Sequence, residues 1–276
     1  MNIDYHIDKL RSSVKSKGKW KYNPITIKLI DSYTGLGIEQ AMIDYIANGD
    51  LTTYVDKINQ YDKIIWEYST QGQASNPVST RQTKILSTWR ESIWTPIWAR
   101  LRSELQKRTD EKLVVIQNME VAQTIYSDKI IKFKDVDGGI GIQKGGVVLP
   151  LLAVEDKGGH ACSTMMDGIQ GQGLQFHQSF PYSLFWLITD NNFSVKEDKL
   201  VAFYQDVGNI ICERGDNRKN IRSYNPIRHD RLASAIKIAD EYFSKENIER
   251  CVEPIVIPAK DKRFIRKIID EQGTLI

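Results

Sequence analysis

Hydrophobic positions recur at helical spacing in the first third of the chain and then give way to short apolar runs. Across residues 31–70, Ile38, Met42, Ile43 and Ile46 lie three or four apart behind a capping Asp31-Ser32 pair. This predicts a helix that ends at Asn48-Gly49-Asp50. Leu51, Val55, Ile58, Ile65 and Trp66 predict a second helix over about 51–68. Residues 69–79, STQGQASNPVS, are loop material by composition. A long helical stretch follows, about 80–108, in which Ile85, Leu86, Trp89, Ile93, Trp94, Ile97, Trp98, Leu101 and Leu105 recur and Pro96 should kink or split the helix. A tryptophan stripe at that spacing points to core or a dimer interface rather than to a base-stacking platform.

Beyond Asp110 the pattern becomes β-like. Leu113–Ile116 and Lys129–Phe133 are short β-prone runs. Gly138–Ile142 and Val147–Val154 form a strand pair joined by Gln143-Lys144-Gly145-Gly146. Tyr182–Thr189 reads as a buried strand and Leu200–Gln205 as a further one. Residues 230–244 return to helical spacing, with Leu232, Ile236, Ala239 and Phe243 on one face. The expected fold is α/β, a mixed central sheet flanked by helices with a helical N-terminal region. One domain is expected over 1–276: a mainly helical part (1–110), an α/β core (111–250) and a basic C-terminal segment (251–276).

Composition narrows the class. The 276 residues are 41% hydrophobic and 26% charged, which excludes a disordered, collagen-like or coiled-coil chain. The longest apolar stretch, Val147–Val154, is too short to span a bilayer, and the first twenty residues hold no apolar signal region. A soluble, cytoplasmic protein without a membrane partner is expected. Cys162, Cys212 and Cys251 are far apart and form no CxxC pair, so neither a disulfide framework nor a structural zinc site is expected. The 38 Lys and Arg against 35 Asp and Glu leave a net charge of +3, too small to announce a polyanion partner by itself. The basic residues are clustered, however, at 11–21, 214–231 and 260–267. Residues 1–22, where Lys15, Lys17, Lys19 and Lys21 alternate, read as a solvated, partly ordered tail or as an arm that touches phosphates.

The stretch 136–160, VDGGIGIQKGGVVLPLLAVEDKGGH, carries the chemistry. Alternation puts Leu151, Ala153, Glu155 and Lys157 on one face of the second strand and Leu152, Val154 and Asp156 on the other. Asp137 opens the partner strand, and it is almost symmetric with Glu155 about the Gly145-Gly146 turn. Antiparallel pairing would therefore bring Asp137, Glu155 and Lys157 together. A hard cation such as Mg²⁺ needs little more than two carboxylates and a phosphate oxygen, since it keeps several waters. Lys157 could position a water or neutralise charge on phosphorus. The bland alternative is a salt bridge at a strand end.

Three short motifs in order add to this. Asp137-Gly138-Gly139-Ile140, Val154-Glu155-Asp156-Lys157 and Phe180-Pro181-Tyr182-Ser183-Leu184-Phe185 resemble those of the PD-(D/E)xK nuclease superfamily, and within it the EcoRI-like type II restriction endonucleases. The resemblance covers about residues 135–195. Val136 stands where the family usually has proline. Asp135 is taken to face away from Asp137 and ranks lower. The resemblance implies a Mg²⁺-dependent endonuclease acting on double-stranded DNA as a homodimer, with Asp137 and Glu155 on the metal, the Asp156 backbone carbonyl beside them, and Lys157 as the third catalytic residue. A supporting acid on an N-terminal helix is frequent in the superfamily; Glu39, Glu91 and Glu104 are the candidates.

DNA contacts are expected in two places. Residues 158–178 hold five glycines and are poor helix material. By the resemblance this region approaches DNA, so His160, Ser163, Thr164, Gln170 and Gln172 could read base edges. His160 and His177 read better as structural hydrogen bonders than as metal ligands. Residues 214–231 add Arg214, Arg218, Lys219, Arg222 and Arg228 in what reads as a loop. Two alternatives stay open: another nuclease of the superfamily for repair or junction resolution, and a DNA-binding protein without catalysis.

Overall fold

The computed structural model describes residues 3–14, 31–70, 80–126, 129–144, 147–157, 173, 176–177, 180–190, 209–214 and 226–252. The chain divides into two units, Met1–Ile97 and Trp98–Ile276.

The first unit is helical: α1 (Ile3–Val14), α2 (Ile38–Asn48), α3 (Leu51–Thr70) and the first part of α4 (Thr80–Gln106). Residues 3–14, expected to belong to a basic tail, form a helix because His6 and Leu10 stand four apart and both are buried. The break between α2 and α3 falls where the sequence puts it. Gly49 adopts a left-handed φ of 81° and gives its N–H to Tyr45 at 2.8 Å, closing α2. Asp50 then accepts the Thr53 N–H at 3.0 Å and opens α3; hydrogen bonds from the Thr53 hydroxyl first, and from this N–H second, hold its carboxyl below the usual range. Tyr45 and Tyr54 stack at 5.4 Å, and Tyr33 meets Tyr61 edge-on at 5.7 Å. Pro96 lies inside α4 without splitting it. Burial of Ile93, Trp94, Ile97, Trp98, Leu101 and Leu105 offsets the amide that proline cannot supply.

The second unit is built on a five-stranded sheet in the order β1-β2-β3-β4-β5: β1 Lys112–Tyr126, β2 Lys129–Lys144, β3 Val147–Lys157, β4 Leu184–Asp190 and β5 Asn209–Arg214. The first three strands are antiparallel, and β3, β4 and β5 run parallel. The fold is thus α/β with a mixed sheet, as the sequence predicts. Helices α5 (His229–Tyr242) and α6 (Lys245–Arg250) complete the described part.

Details differ from the sequence reading. The runs Lys129–Phe133 and Gly138–Ile142 are one long strand, β2, because β1 pairs along it from Lys112↔Gln143 to Tyr126↔Lys129. Strand β4 starts at Leu184 rather than Tyr182. β5 lies at 209–214; the strand expected at 200–205 falls outside the described residues.

β3 lies between an antiparallel and a parallel neighbour. Leu151, Leu152, Ala153, Val154 and Glu155 are all buried, so both faces of this strand are covered. Arg108, just past α4, fixes α5. It donates to the Asp240 backbone oxygen at 2.5 Å and the Phe243 oxygen at 3.1 Å, and pairs with the Asp240 carboxylate at 2.7 Å. Trp98 packs edge-on against Trp186 of β4 at 5.0 Å. Among the described residues no helix is long and apolar enough to cross a membrane.

Candidate active site at the β2–β3 junction

The site grows out of one hairpin. Lys144 pairs with Val147, and the ladder runs back to Gly138↔Val154. Continued by one residue, it sets Asp137 across from Glu155, and directly opposed residues of an antiparallel pair share a face. Asp137 is exposed, whereas Glu155 is 1% exposed. The two carboxylates therefore come from adjacent strands at one level of the sheet, one toward solvent and one inside. Lys157 follows two positions later on β3, where it pairs with Thr189 of β4. The side chains of Asp156 and Lys157 lie outside the described residues.

Asp135 needs correction. It stands two positions from Asp137 on the same continuous strand, and in a regular strand such residues share a face. What separates them is the ladder: Asp137 lies next to the Gly138↔Val154 pair, whereas Asp135 lies beyond the paired stretch of β3 and opposite Glu120 of β1.

Two glycines let the strands meet here. A Cβ on Gly138 would stand 2.9 Å from the Trp98 indole nitrogen, so this ring covers the residue next to Asp137. Gly139 has φ 136°, and a Cβ there would overlap the Leu152 carbonyl oxygen. The third motif supports β3 from the other side. The Ser183 hydroxyl, 2% exposed, donates to the Pro150 carbonyl at 2.6 Å. The Tyr182 carbonyl accepts the Tyr242 hydroxyl at 2.9 Å and the Cys251 thiol at 3.2 Å, and the Arg250 guanidinium stands 4.0 Å over the Tyr182 ring. Burial pushes the Cys251 thiol up to about 12, so it stays protonated and able to donate.

The donor set suits a hard cation: two carboxylates, to which water and a phosphate oxygen would add. Among the described residues no three His, Cys, Asp or Glu side chains gather as for a metal held by protein alone. Of the candidate supporting acids, Glu39 receives Arg11 at 2.8 and 2.7 Å and the Tyr33 hydroxyl at 3.0 Å. Glu104 pairs with Lys107 at 2.6 Å on the same helix end. The Glu91 side chain lies outside the described residues.

His160, Ser163, Thr164, Gln170, Gln172, Arg218, Lys219 and Arg222 also lie outside the described residues, as does the basic cluster 260–267. Arg214 ends β5, so the basic stretch begins on a strand rather than in a loop. Arg228 pairs with Asp230 at 2.8 Å just before α5. In the glycine-rich stretch Gly173 and residues 176–177 are helical. Phe176 is buried there against Phe180 and Phe185, and His177 stands edge-on to Phe176. This part of the stretch anchors the core, a role its glycine content concealed.

No protein-family model matches the chain, and no curated protein matches it in sequence. Among solved structures, one described as "native BbvCI A2B2 tetramer at low resolution" gives a TM-score of 0.49 over 88% of this chain and 95% of that chain, at 16% identity. A likeness that slight decides neither family nor activity.

Proposed function

We propose that this chain is a type II restriction endonuclease of the PD-(D/E)xK kind, hydrolysing phosphodiester bonds of double-stranded DNA with Mg²⁺ at a short, palindromic site. The reading rests on one observation. The last β2–β3 pair is Gly138↔Val154, which leaves Asp137 and Glu155 as the next residues on the two adjoining strands, and Lys157 follows Glu155 by two residues on β3. Those three residues also carry the sequence resemblance to EcoRI-like enzymes.

In this reading Asp137 and Glu155 hold the cation, with the Asp156 carbonyl beside them. A bound Mg²⁺ would lower the pKa of a coordinated water and offset charge developing at phosphorus. Lys157 orients the attacking water and neutralises the phosphate it approaches. The leaving group is the 3′ oxygen, so products carry 5′-phosphate and 3′-hydroxyl ends. A homodimer supplies two such sites related by a two-fold axis, which matches a palindrome. Residues 158–178 and 214–231 would supply the groups that read bases and hold phosphates.

The test is digestion of a sequenced plasmid with Mg²⁺, followed by mapping of the ends. Discrete bands with 5′-phosphates at one repeated sequence support the proposal. Smearing or structure-selective cutting points instead to a repair or junction nuclease. Binding without cleavage under any divalent cation overturns the catalytic reading.

A further inference from the structure

A hairpin that stayed regular from its turn would not build this site. Lys144 pairs with Val147, Gln143 with Val148, Ile142 with Leu149 and Gly141 with Pro150. Continued without a break, that ladder pairs Asp137 with Val154 and leaves Glu155 on the other face, because a one-residue slip exchanges the faces of a strand. The observed ladder breaks between Gly141 and Ile140. Ile140 pairs with Leu152, so Leu151 is an extra residue on β3, and the shifted register runs on through Gly139↔Ala153 and Gly138↔Val154. The next position along is Asp137 with Glu155.

Three residues explain why the break sits here. Pro150 has no amide hydrogen to give to a ladder, and within sheets proline belongs at bulges and edges. Its carbonyl is taken instead by the buried Ser183 hydroxyl at 2.6 Å, from the segment that opens β4. Gly139, with φ 136°, lets the shifted strand pass directly over the Leu152 carbonyl, where a Cβ would collide. Gly139 and Ser183 lie in two of the sequence motifs that carry the resemblance, and Pro150 lies four residues before the third.

We propose that the Pro150–Leu151 bulge, pinned by Ser183 and admitted by Gly139, is a register lock that puts Asp137 and Glu155 on one face. Ser183 and Gly139 are then positioning residues that act through the strand. The consequence for metal binding rests on the functional reading above; the register itself does not.

Disulfide trapping reads the register directly, because opposed residues of a ladder lie within bridging range. The full chain carrying Asp137→Cys with Glu155→Cys is expected to cross-link under mild oxidation, and Asp137→Cys with Val154→Cys is not, with the bond located by peptide mass mapping. Failure of the 137/155 pair, or preference for 137/154, overturns the lock. Adding Ser183→Ala or Pro150→Val is expected to move cross-linking toward 154, and Ser183→Thr to retain it at 155; unchanged cross-linking in a folded Ser183→Ala chain also overturns it. In a second arm, calorimetry with Mn²⁺ alone is expected to show about tenfold weaker binding for Ser183→Ala, recovered in Ser183→Thr. If the register moves as stated but the wild-type chain binds no Mn²⁺, the metal reading fails and the lock stands. If the wild type binds Mn²⁺ and the register does not move, the lock fails and the metal reading stands.

Discussion

Glu39 of the helical unit and Glu155 of the sheet unit are held in opposite ways. Glu39 sits near the start of α2, partly in water, with a guanidinium on both oxygens and a phenol besides. Glu155 sits in the middle of a sheet among Leu152, Ala153, Val154 and Leu187, 1% exposed. A carboxylate on a helix surface costs the fold little, and its ion pair adds little. A carboxylate on a strand that is otherwise apolar on both faces is costly to bury. The cost is understandable if that oxygen pair must meet a cation at a fixed place.

The largest expected effect would break the comparison if it failed. Asp137→Ala and Glu155→Ala are each expected to lower Mg²⁺-dependent cleavage by about a thousandfold or more, because a metal-assembled site supplies several kcal/mol of transition-state stabilisation. Glu39→Ala is expected to leave cleavage unchanged. Single-turnover rates on plasmid DNA measure all three. Equal losses for Glu39 and Glu155 would erase the distinction.

Next in size is a buried titratable group in the helical unit. His6 is 5% exposed, its Nδ1 has no hydrogen-bond partner among the described residues, and Tyr5 meets it edge-on. Burial first, then the positive charges of Lys9 and the N-terminus, bring its pKa down from 6.5 to about 4. The unfolded chain therefore binds a proton between pH 6.5 and 4 that the folded chain refuses. His6 thus contributes full stability above pH 6.5, and this is lost as pH falls toward 4, by on the order of 3 kcal/mol. Urea melts of wild type and His6→Leu across that window should differ in slope, with the variant flatter.

How much of this was legible follows from where the information lies. The α2–α3 break is local: Gly49 and Asp50 carry it in adjacent residues, so the sequence alone predicts it. The long strands β1 and β2 read as fragments in the sequence, because polar stretches such as Gln117-Asn118 and Lys134-Asp135 lack a strand pattern of their own. Cross-strand pairing overrides that weak local preference. β5 has only Ile210, Ile211 and Cys212 between Asn209 and Glu213-Arg214, too few to stand out. Near-symmetry about the turn predicts that Asp137 and Glu155 lie close. The bulge that sets the register beside them is not legible in the sequence, since the Ser183 hydroxyl reaches Pro150 from 33 residues away.

A smaller effect sharpens the contrast inside the helical unit. The Tyr54 hydroxyl, fully buried, donates to the Ile93 carbonyl at 3.0 Å, one turn before Pro96 in α4. Tyr54→Phe should cost about 1 kcal/mol, the usual worth of a buried hydrogen bond, with no change in cleavage. Denaturant midpoints measure it.

The smallest effect is the Arg11–Glu39 pair itself. The side chains are 51% and 27% exposed, so water and salt screen an interaction whose geometry, two nitrogens on two oxygens at 2.8 and 2.7 Å, is otherwise favourable. The pair holds the Arg11 guanidinium above its usual pKa, so it persists at every pH at which Glu39 is ionised. Arg11→Gln should therefore lower the melting temperature by far less than the pH effect at His6. That difference should shrink as NaCl rises from 0.05 to 0.5 M, roughly a threefold fall in Debye length. A loss that ignored salt would mean that Arg11 acts through packing of its stem, and the contrast with Glu155 would then be one of shape rather than of charge.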